Sequence, residues 1–393
     1  VETETKVNNM DVKRLVLCAT LAATAGGAQC WANSPYGERM ETIAPVVTAA
    51  AYQQQYAGLS GGVELASCGT GVCDSTGCTL DGGCDGGCGL LRGCTGGCDG
   101  GCDSGCDGLC AGGCDGLGGG AQTGLLGFGL IQRSDHCFDD FISPMTNPVF
   151  FEDPRTLTEA RFIFINHQLP GALGGNSVQV YAMQVRAALT KRLSLIATKD
   201  GFIYTQSPVL DSGFADIAAG LKYNLYRDPV AGRLLSVGMT YEIPTGSNRS
   251  LQGNGNGEFH FFSTAGTRIG KRSHWLIASG IREAADRNLE NSMVYLSNHF
   301  DYQLPNRPLY AFTELNWYNY TSSGSAFPLA VEGGDLFNLG APGITGNDLV
   351  THAIGMKAKP RSNVEAGVAW QYPMTARQGI MDNRLTADLI VRF

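Results

Sequence analysis

The chain has 393 residues, 16% of them charged, with 54 glycines and a formal net charge of −8. That charged fraction lies below the roughly 25% of soluble globular domains. An acidic balance with no basic stripe excludes a nucleic-acid partner. Beyond the N-terminal region no run of about 18 apolar residues occurs, which excludes a spanning helix. Membrane strands stay open as a solution, because they are short and only half apolar.

Lys13 and Arg14 precede an apolar run over residues 15–23, followed by small residues and Cys30-Trp31-Ala32. This is the pattern of a secretory signal cut near Ala32. Met10 suits the start of that signal, which makes residues 1–9 an extension. Gln29 before Cys30 fits a lipid-anchoring box poorly. Of the fourteen cysteines, Cys18 and Cys30 leave with the signal; an even number remains, which suggests pairing in an exported protein.

Residues 33–67 are mildly apolar, with one short helix expected around residues 40–56. Residues 68–133 form a Gly/Cys/Asp-rich low-complexity segment with almost nothing apolar to bury, so disorder is expected there. Its cysteines fall mostly four apart, among them Cys84, Cys88, Cys94, Cys98, Cys102, Cys106, Cys110 and Cys114. Spacing of four would stack them along a helix, but the glycines oppose one. Three readings stay open: disulfides within or between copies, metal or thiolate chemistry helped by Asp85, Asp99, Asp103, Asp107 and Asp115, and a plain spacer. No recognised metal cage and no cofactor is expected.

Residues 134–154 carry Asp135, His136, Cys137, Asp139 and Asp140, then Pro144, Pro148 and Pro154. The prolines prevent a helix from organising a metal site. The expected role is an extended lead-in or plug at the periplasmic mouth of a barrel, with Phe138, Phe141, Phe150 and Phe151 to bury.

From residue 155 onward the pattern has period two. Candidate strands are 156–168, 177–189, 191–203, 213–226, 232–244, 257–270, 273–284, 291–304, 308–320, 348–359, 363–373 and 381–393. Leu235, Val237, Met239, Tyr241 and Ile243 oppose Ser236, Gly238, Thr240 and Glu242. Val364, Ala366, Val368, Trp370 and Tyr372 oppose Glu365, Gly367, Ala369 and Gln371. Leu385, Ala387, Leu389, Val391 and Phe393 oppose Arg384, Thr386, Asp388 and Arg392. Such strands give an apolar wall opposite a charged one. Every second connection is short and basic and the others are longer, as in an outer-membrane barrel with periplasmic short turns. The fold class expected is an all-β transmembrane antiparallel up-and-down barrel of about twelve strands.

On these phases Arg186, Asp216, Lys222, Glu242, Arg268, Asp301, Glu314, Lys357, Glu365, Arg384 and Asp388 point inward. Two readings stay open: selection of a solute in a charge-lined lumen, and a salt-bridged or plugged interior that keeps the barrel closed. The longest loop, 321–347, holds Phe327, Leu336 and Phe337 as gate candidates, against a plain lid. Aromatic residues such as Tyr181, Tyr223, Tyr302 and Trp370 suit the interfacial girdles.

The terminal strand resembles the C-terminal strand of bacterial outer-membrane barrels, in which a final aromatic, here Phe393, acts as an assembly signal. Residues 213–223, Gly-Phe-Ala-Asp-Ile-Ala-Ala-Gly-Leu-Lys-Tyr, and residues 241–246, Tyr-Glu-Ile-Pro-Thr-Gly, resemble the transporter family of the meta-pathway of phenol degradation. That family is distantly similar to fatty-acid and aromatic-hydrocarbon channels. The resemblance covers roughly residues 155–393, and the cysteine-rich segment departs from it. It implies an outer-membrane channel for small apolar or aromatic compounds.

The expected function is passive uptake of small molecules at the cell outer membrane, with the N-terminal segment periplasmic. The alternative is a structural envelope protein, a barrel anchor cross-linked through its cysteines. An enzyme is not expected. None of the six histidines is followed two residues later by serine, as an outer-membrane phospholipase needs. The expected partners are membrane lipid, small solutes, the barrel-assembly machinery, and further copies or envelope components joined through cysteines.

Overall fold

The computed structural model describes residues 129–205 and 210–393. The expectations for residues 1–128, including the eight disulfide candidates, lie outside the described residues.

Twelve antiparallel strands form a closed barrel. They are β1 (Glu159–Gln168), β2 (Ser177–Ala188), β3 in two pieces (Leu193–Lys199 and Phe202–Thr205), β4 in two pieces (Gly213–Phe214 and Ile217–Asp228), β5 (Arg233–Ile243) and β6 (Glu258–Ile269). They continue as β7 (Ser273–Ala284), β8 (Met293–Gln303), β9 (Leu309–Tyr320), β10 (Asp348–Arg361), β11 (Val364–Pro373) and β12 (Asn383–Arg392). Each pairs with its chain neighbours, and β12 returns to β1 from Glu159↔Arg392 to Gln168↔Asn383. Closure satisfies the backbone without an edge, the condition a sheet must meet in lipid.

The side-chain pattern inverts that of a water-soluble protein. Phe162, Leu221, Phe261, Ile354, Val368 and Leu389 are exposed, while Arg161, Lys222, Arg384 and Asp388 are buried. Water would drive the apolar set inward. Lipid as the outer solvent makes the arrangement favourable. The exposed Tyr181, Tyr223, Tyr302 and Trp370 belong to the same outer wall.

The connections 189–192, 229–232, 270–272, 304–308 and 362–363 are short and share one end with the start of β1 and the finish of β12. At the other end 169–176, 244–257, 285–292, 321–347 and 374–382 are longer.

The ladder is irregular in several places, among them β3 and β4. β2 pairs with the first piece of β3 over Val185–Ala188 and with the second over Val178–Tyr181. Between them the Met183 N–H donates to the Asp200 carboxylate at 2.8 Å instead of to a strand. Gly201 sits in the break at φ +118, where any Cβ would collide with the carbonyl oxygen of Tyr181. In β4 a bulge between Asn224 and Tyr226 leaves both Leu225 and Tyr226 on the outer face.

Candidate pore, plug and gate

The barrel interior is filled by protein. Gln132 bridges to Ala188, and the chain then runs up inside the barrel, turns at Asn147 (φ 54) and returns to β1. Residues 141–158 of this plug are almost entirely buried. Its two limbs join at the base, where the Asp135 N–H donates to the Thr156 carbonyl at 2.9 Å. Three prolines and a turn near αL suit this extended path, which needs no helix or ladder.

Aromatic residues give the plug its apolar hold. Phe150 packs against Tyr295 and His260, with ring centroids 5.5 and 4.9 Å away. Phe141 lies 4.4 Å from the His274 ring. Burial of such side chains stabilises by about 1.5–3 kcal/mol each.

Charges hold it as well. Arg186 grips Glu152 at 2.6 Å and reaches Glu159 at 3.2 Å; Lys222 meets Glu152 at 2.8 Å. Arg155 pairs with Asp153 at 2.7 Å inside the plug itself. Glu365 faces Arg392 at 2.6 Å, Lys359 at 3.3 Å and Lys357 at 3.8 Å. Asp388 lies 2.9 Å from both Arg161 and Lys357. Lys357 also donates to the Ser143 carbonyl at 2.9 Å. The interior described is thus filled by this segment and laced with ion pairs.

A chain of acids and histidines runs along β7, β8 and β9. The register sets it: His299 lies opposite Glu314, and Asp301 lies opposite His274. Glu314 and His299 Nδ1 are 2.7 Å apart, and His299 Nε2 is 3.3 Å from Asp301. Asp301 is 2.8 Å from His274 Nδ1, and His274 Nε2 is 3.0 Å from Asp140 of the plug. At its upper end Glu314 accepts from the backbone N–H groups of Met145 at 2.7 Å and Thr146 at 2.6 Å. At its lower end Arg268 caps Asp140 at 2.9 Å. Burial works against ionisation of Asp140, but His274 and Arg268 hold its carboxyl well below the usual range.

The long loop 321–347 enters from the other end. Its residues 332–341 are buried, with Leu336 and Phe337 in the core and Phe327 half-buried. Arg384 holds Asp335 at 2.9 Å, and Asn338 donates to Glu258. Arg282 reaches Glu258 at 3.6 Å; Lys199 pairs with Glu242 and lies 3.9 Å from Asp216. Glu290, in the adjoining loop 285–292, is buried with its Oε2 unpartnered. Burial, then repulsion from Glu258 and Glu242, pushes its carboxyl up to about 9.

Plug turn and inserted loop meet around Pro148, Val149, Leu336 and Phe337, with a cavity of about 30 Å³ between them. That volume suits roughly one water. A groove of about 970 Å³ lies on the barrel wall at the β3 break, lined by Phe162, Phe164, Tyr181, Phe202 and Phe214.

The inward-phased residues named from the sequence are therefore spread over two layers. Arg186, Lys222, Arg268, Asp301, Glu314, Lys357, Glu365 and Asp388 face the plug or its partners, while Asp216, Glu242 and Arg384 lie near the inserted loop. Interior residues that the sequence reading did not single out include Arg155, Arg161, Lys199, Glu258, His274, Arg282, His299 and Lys359. His299 was within reach, since it shares strand parity with Asp301. In the lead-in, His136 pairs with Asp139 at 2.9 Å. The Cys137 sulfur accepts from Arg227 at 2.9 Å. Among the described residues no cluster of three His, Cys, Asp or Glu side chains is arranged to hold a metal ion.

No family model matches the chain, and no curated protein matches it. Among solved structures, an outer membrane channel from Pseudomonas putida F1 is similar at a TM-score of 0.46 and 11% identity, over 64% of this chain and 100% of that one. The NanC porin is similar at 0.40 and 7%, over 60% and 100%. The KdgM porin is similar at 0.37 and 11%, over 59% and 99%. At these values no role is transferred from them.

Proposed function

We propose that this protein is an outer-membrane channel for small apolar or aromatic molecules, held closed by the plug and by loop 321–347. The apolar exterior around an ionic interior is the design of outer-membrane barrels. The observation that carries the substrate class is the aromatic groove at the broken β3 strand. End-to-end diffusion is blocked in the closed state, whereas an apolar solute dissolves in lipid and reaches this groove from the side. There Ala182 to Gln184 make no strand pairing with β3, so separating the wall breaks few ladder bonds. The plug begins at the short-turn end, which the reading makes periplasmic.

Uptake into proteoliposomes tests this. Aromatic solutes should enter faster than anionic ones of equal size, and Phe202→Asp should slow the aromatic solutes alone. Equal rates for both classes, or none above empty liposomes, would reject the reading.

The tight filling of the interior favours a second reading, a membrane anchor whose cysteine-rich segment cross-links the envelope. Planar bilayers separate the two. Stepwise conductance marks the channel; silence together with thiol-sensitive multimers marks the anchor.

A further inference from the structure

Both ring nitrogens of His274 face carboxylate oxygens, Asp301 on one side and Asp140 on the other. A carboxylate only accepts, so this geometry requires a proton on each nitrogen, and the ring is an imidazolium while the plug is seated. The same holds for His299 between Asp301 and Glu314. The two rings differ in where their acids come from. Both partners of His299 belong to the barrel wall. One partner of His274 belongs to the plug.

We propose that His274 is a proton-operated latch that couples seating of the plug to pH. With the plug withdrawn, Asp140 leaves and His274 keeps only Asp301. Its second nitrogen then meets water, and the proton held there is released near neutral pH, where histidine ordinarily titrates (about 6.5). Seating therefore takes up one proton from solvent. By linkage it weakens by up to about tenfold per pH unit above that range, and is insensitive below it.

The groups around the ring support a single-proton device. Arg268 on β6 faces Asp140, Asp301 and His299 lie on β8, and Tyr310 on β9 has its ring 6.4 Å away. The Phe141 ring of the plug covers the imidazole. Arg268 stays cationic throughout and keeps hold of Asp140, so raised pH loosens the plug without expelling it. The upper contact, Glu314 with Met145 and Thr146, shares the same chain of acids and histidines, so both ends of the plug's first limb rest on it. The latch rests on the channel reading for its purpose, but seating can be read without any transport.

The test is hydrogen–deuterium exchange of the full chain in detergent between pH 6 and 9. Protection factors for residues 141–158 remove the intrinsic pH dependence of exchange. Strand peptides of the same samples report whether the barrel is folded. The wild-type plug should lose protection by up to about tenfold per unit above neutral. Asp140→Asn, which needs no cationic partner, should abolish that slope, and His274→Gln should abolish it too. A flat wild-type profile, or a slope that survives in Asp140→Asn with the barrel intact, would overturn the latch. If neither variant assembles, nitrogen NMR of the wild-type histidines decides: a neutral His274 ring at pH 7 overturns it, and a doubly protonated one supports it. Absence of conductance at every pH would sink the channel reading and leave the exchange slope untouched.

Discussion

The backbone N–H of Ser134 donates to the carbonyl oxygen of Phe393 at 2.8 Å, and the Phe393 N–H donates to the Thr158 carbonyl at 2.9 Å. The base of the plug is thereby stitched to the final residue of the barrel. Both bonds use backbone atoms, and the Phe393 ring stays on the outer face.

This separation predicts that Phe393→Ala uncouples assembly from stability. The backbone bonds survive the change, and the loss of one lipid-facing ring costs on the order of 0.5 kcal/mol. Folded protein should therefore unfold at nearly the wild-type denaturant midpoint. Its yield in the outer membrane, read as heat-modifiable gel migration, should fall severalfold. An unchanged yield would refute the proposal that this residue is an assembly signal.

Glu152 is the carboxylate through which the wall grips the plug. Glu152→Ala leaves Arg186 with Glu159 alone and takes from Lys222 its carboxylate partner on the plug. Removing one member of a buried pair costs about 3–5 kcal/mol. That cost falls on plug seating, because the strand ladder is untouched. Exchange of residues 145–158 should rise while strand peptides stay protected, and bilayer recordings should show openings once loop 321–347 is released as well.

Much of this architecture was legible because a strand has period two. Leu235 to Ile243 and Leu385 to Phe393 announce both their faces, and the inward charges follow from the same parity. The plug was harder to read. Residues 134–158 follow no repeat, and their shape comes from contacts with distant strands such as those of Glu152, so only the prolines and phenylalanines hinted at a packed lead-in. The break in β3 had a local signal, the Asp200-Gly201 dipeptide inside an otherwise regular run, which reads as a turn or bulge. The acid–histidine chain was hidden because it needs cross-strand register: nothing in sequence places Asp140 beside His274.

Glu290 predicts a pH effect at the long-loop end. Its carboxyl is pushed up to about 9 by burial and by Glu258 and Glu242. The folded state therefore holds a proton that the unfolded chain releases near its ordinary value. The stability this proton supplies is fully present below the ordinary range of about 4.3, and is lost as pH rises toward 9. Glu290→Gln keeps the shape and removes the titration. Thermal unfolding at pH 5 and pH 8 should show the wild type losing stability across the interval. The variant should lose less and be the more stable of the two at pH 8.

Gly340 fixes how loop 321–347 folds inward. It adopts φ +60, and a Cβ there would collide with the carbonyl oxygen of Leu289 and crowd Ala326. Its N–H donates to the Asn338 side-chain oxygen at 3.3 Å, and its carbonyl accepts from the Ala326 N–H at 3.0 Å. Gly340→Ala must move the loop or strain the backbone, at a cost of about 1–2 kcal/mol for left-handed geometry alone. The clash with Leu289 adds to that cost, and the loop has a cheaper escape than the barrel wall because it can swing outward. Exchange should rise across residues 324–341 and in the neighbouring 285–292, while β8 and β9 keep their protection. If loop 321–347 is the outer gate, the variant gains conductance only when combined with Glu152→Ala, since the plug still closes the other half. Conductance from Gly340→Ala alone would show that the plug is no barrier.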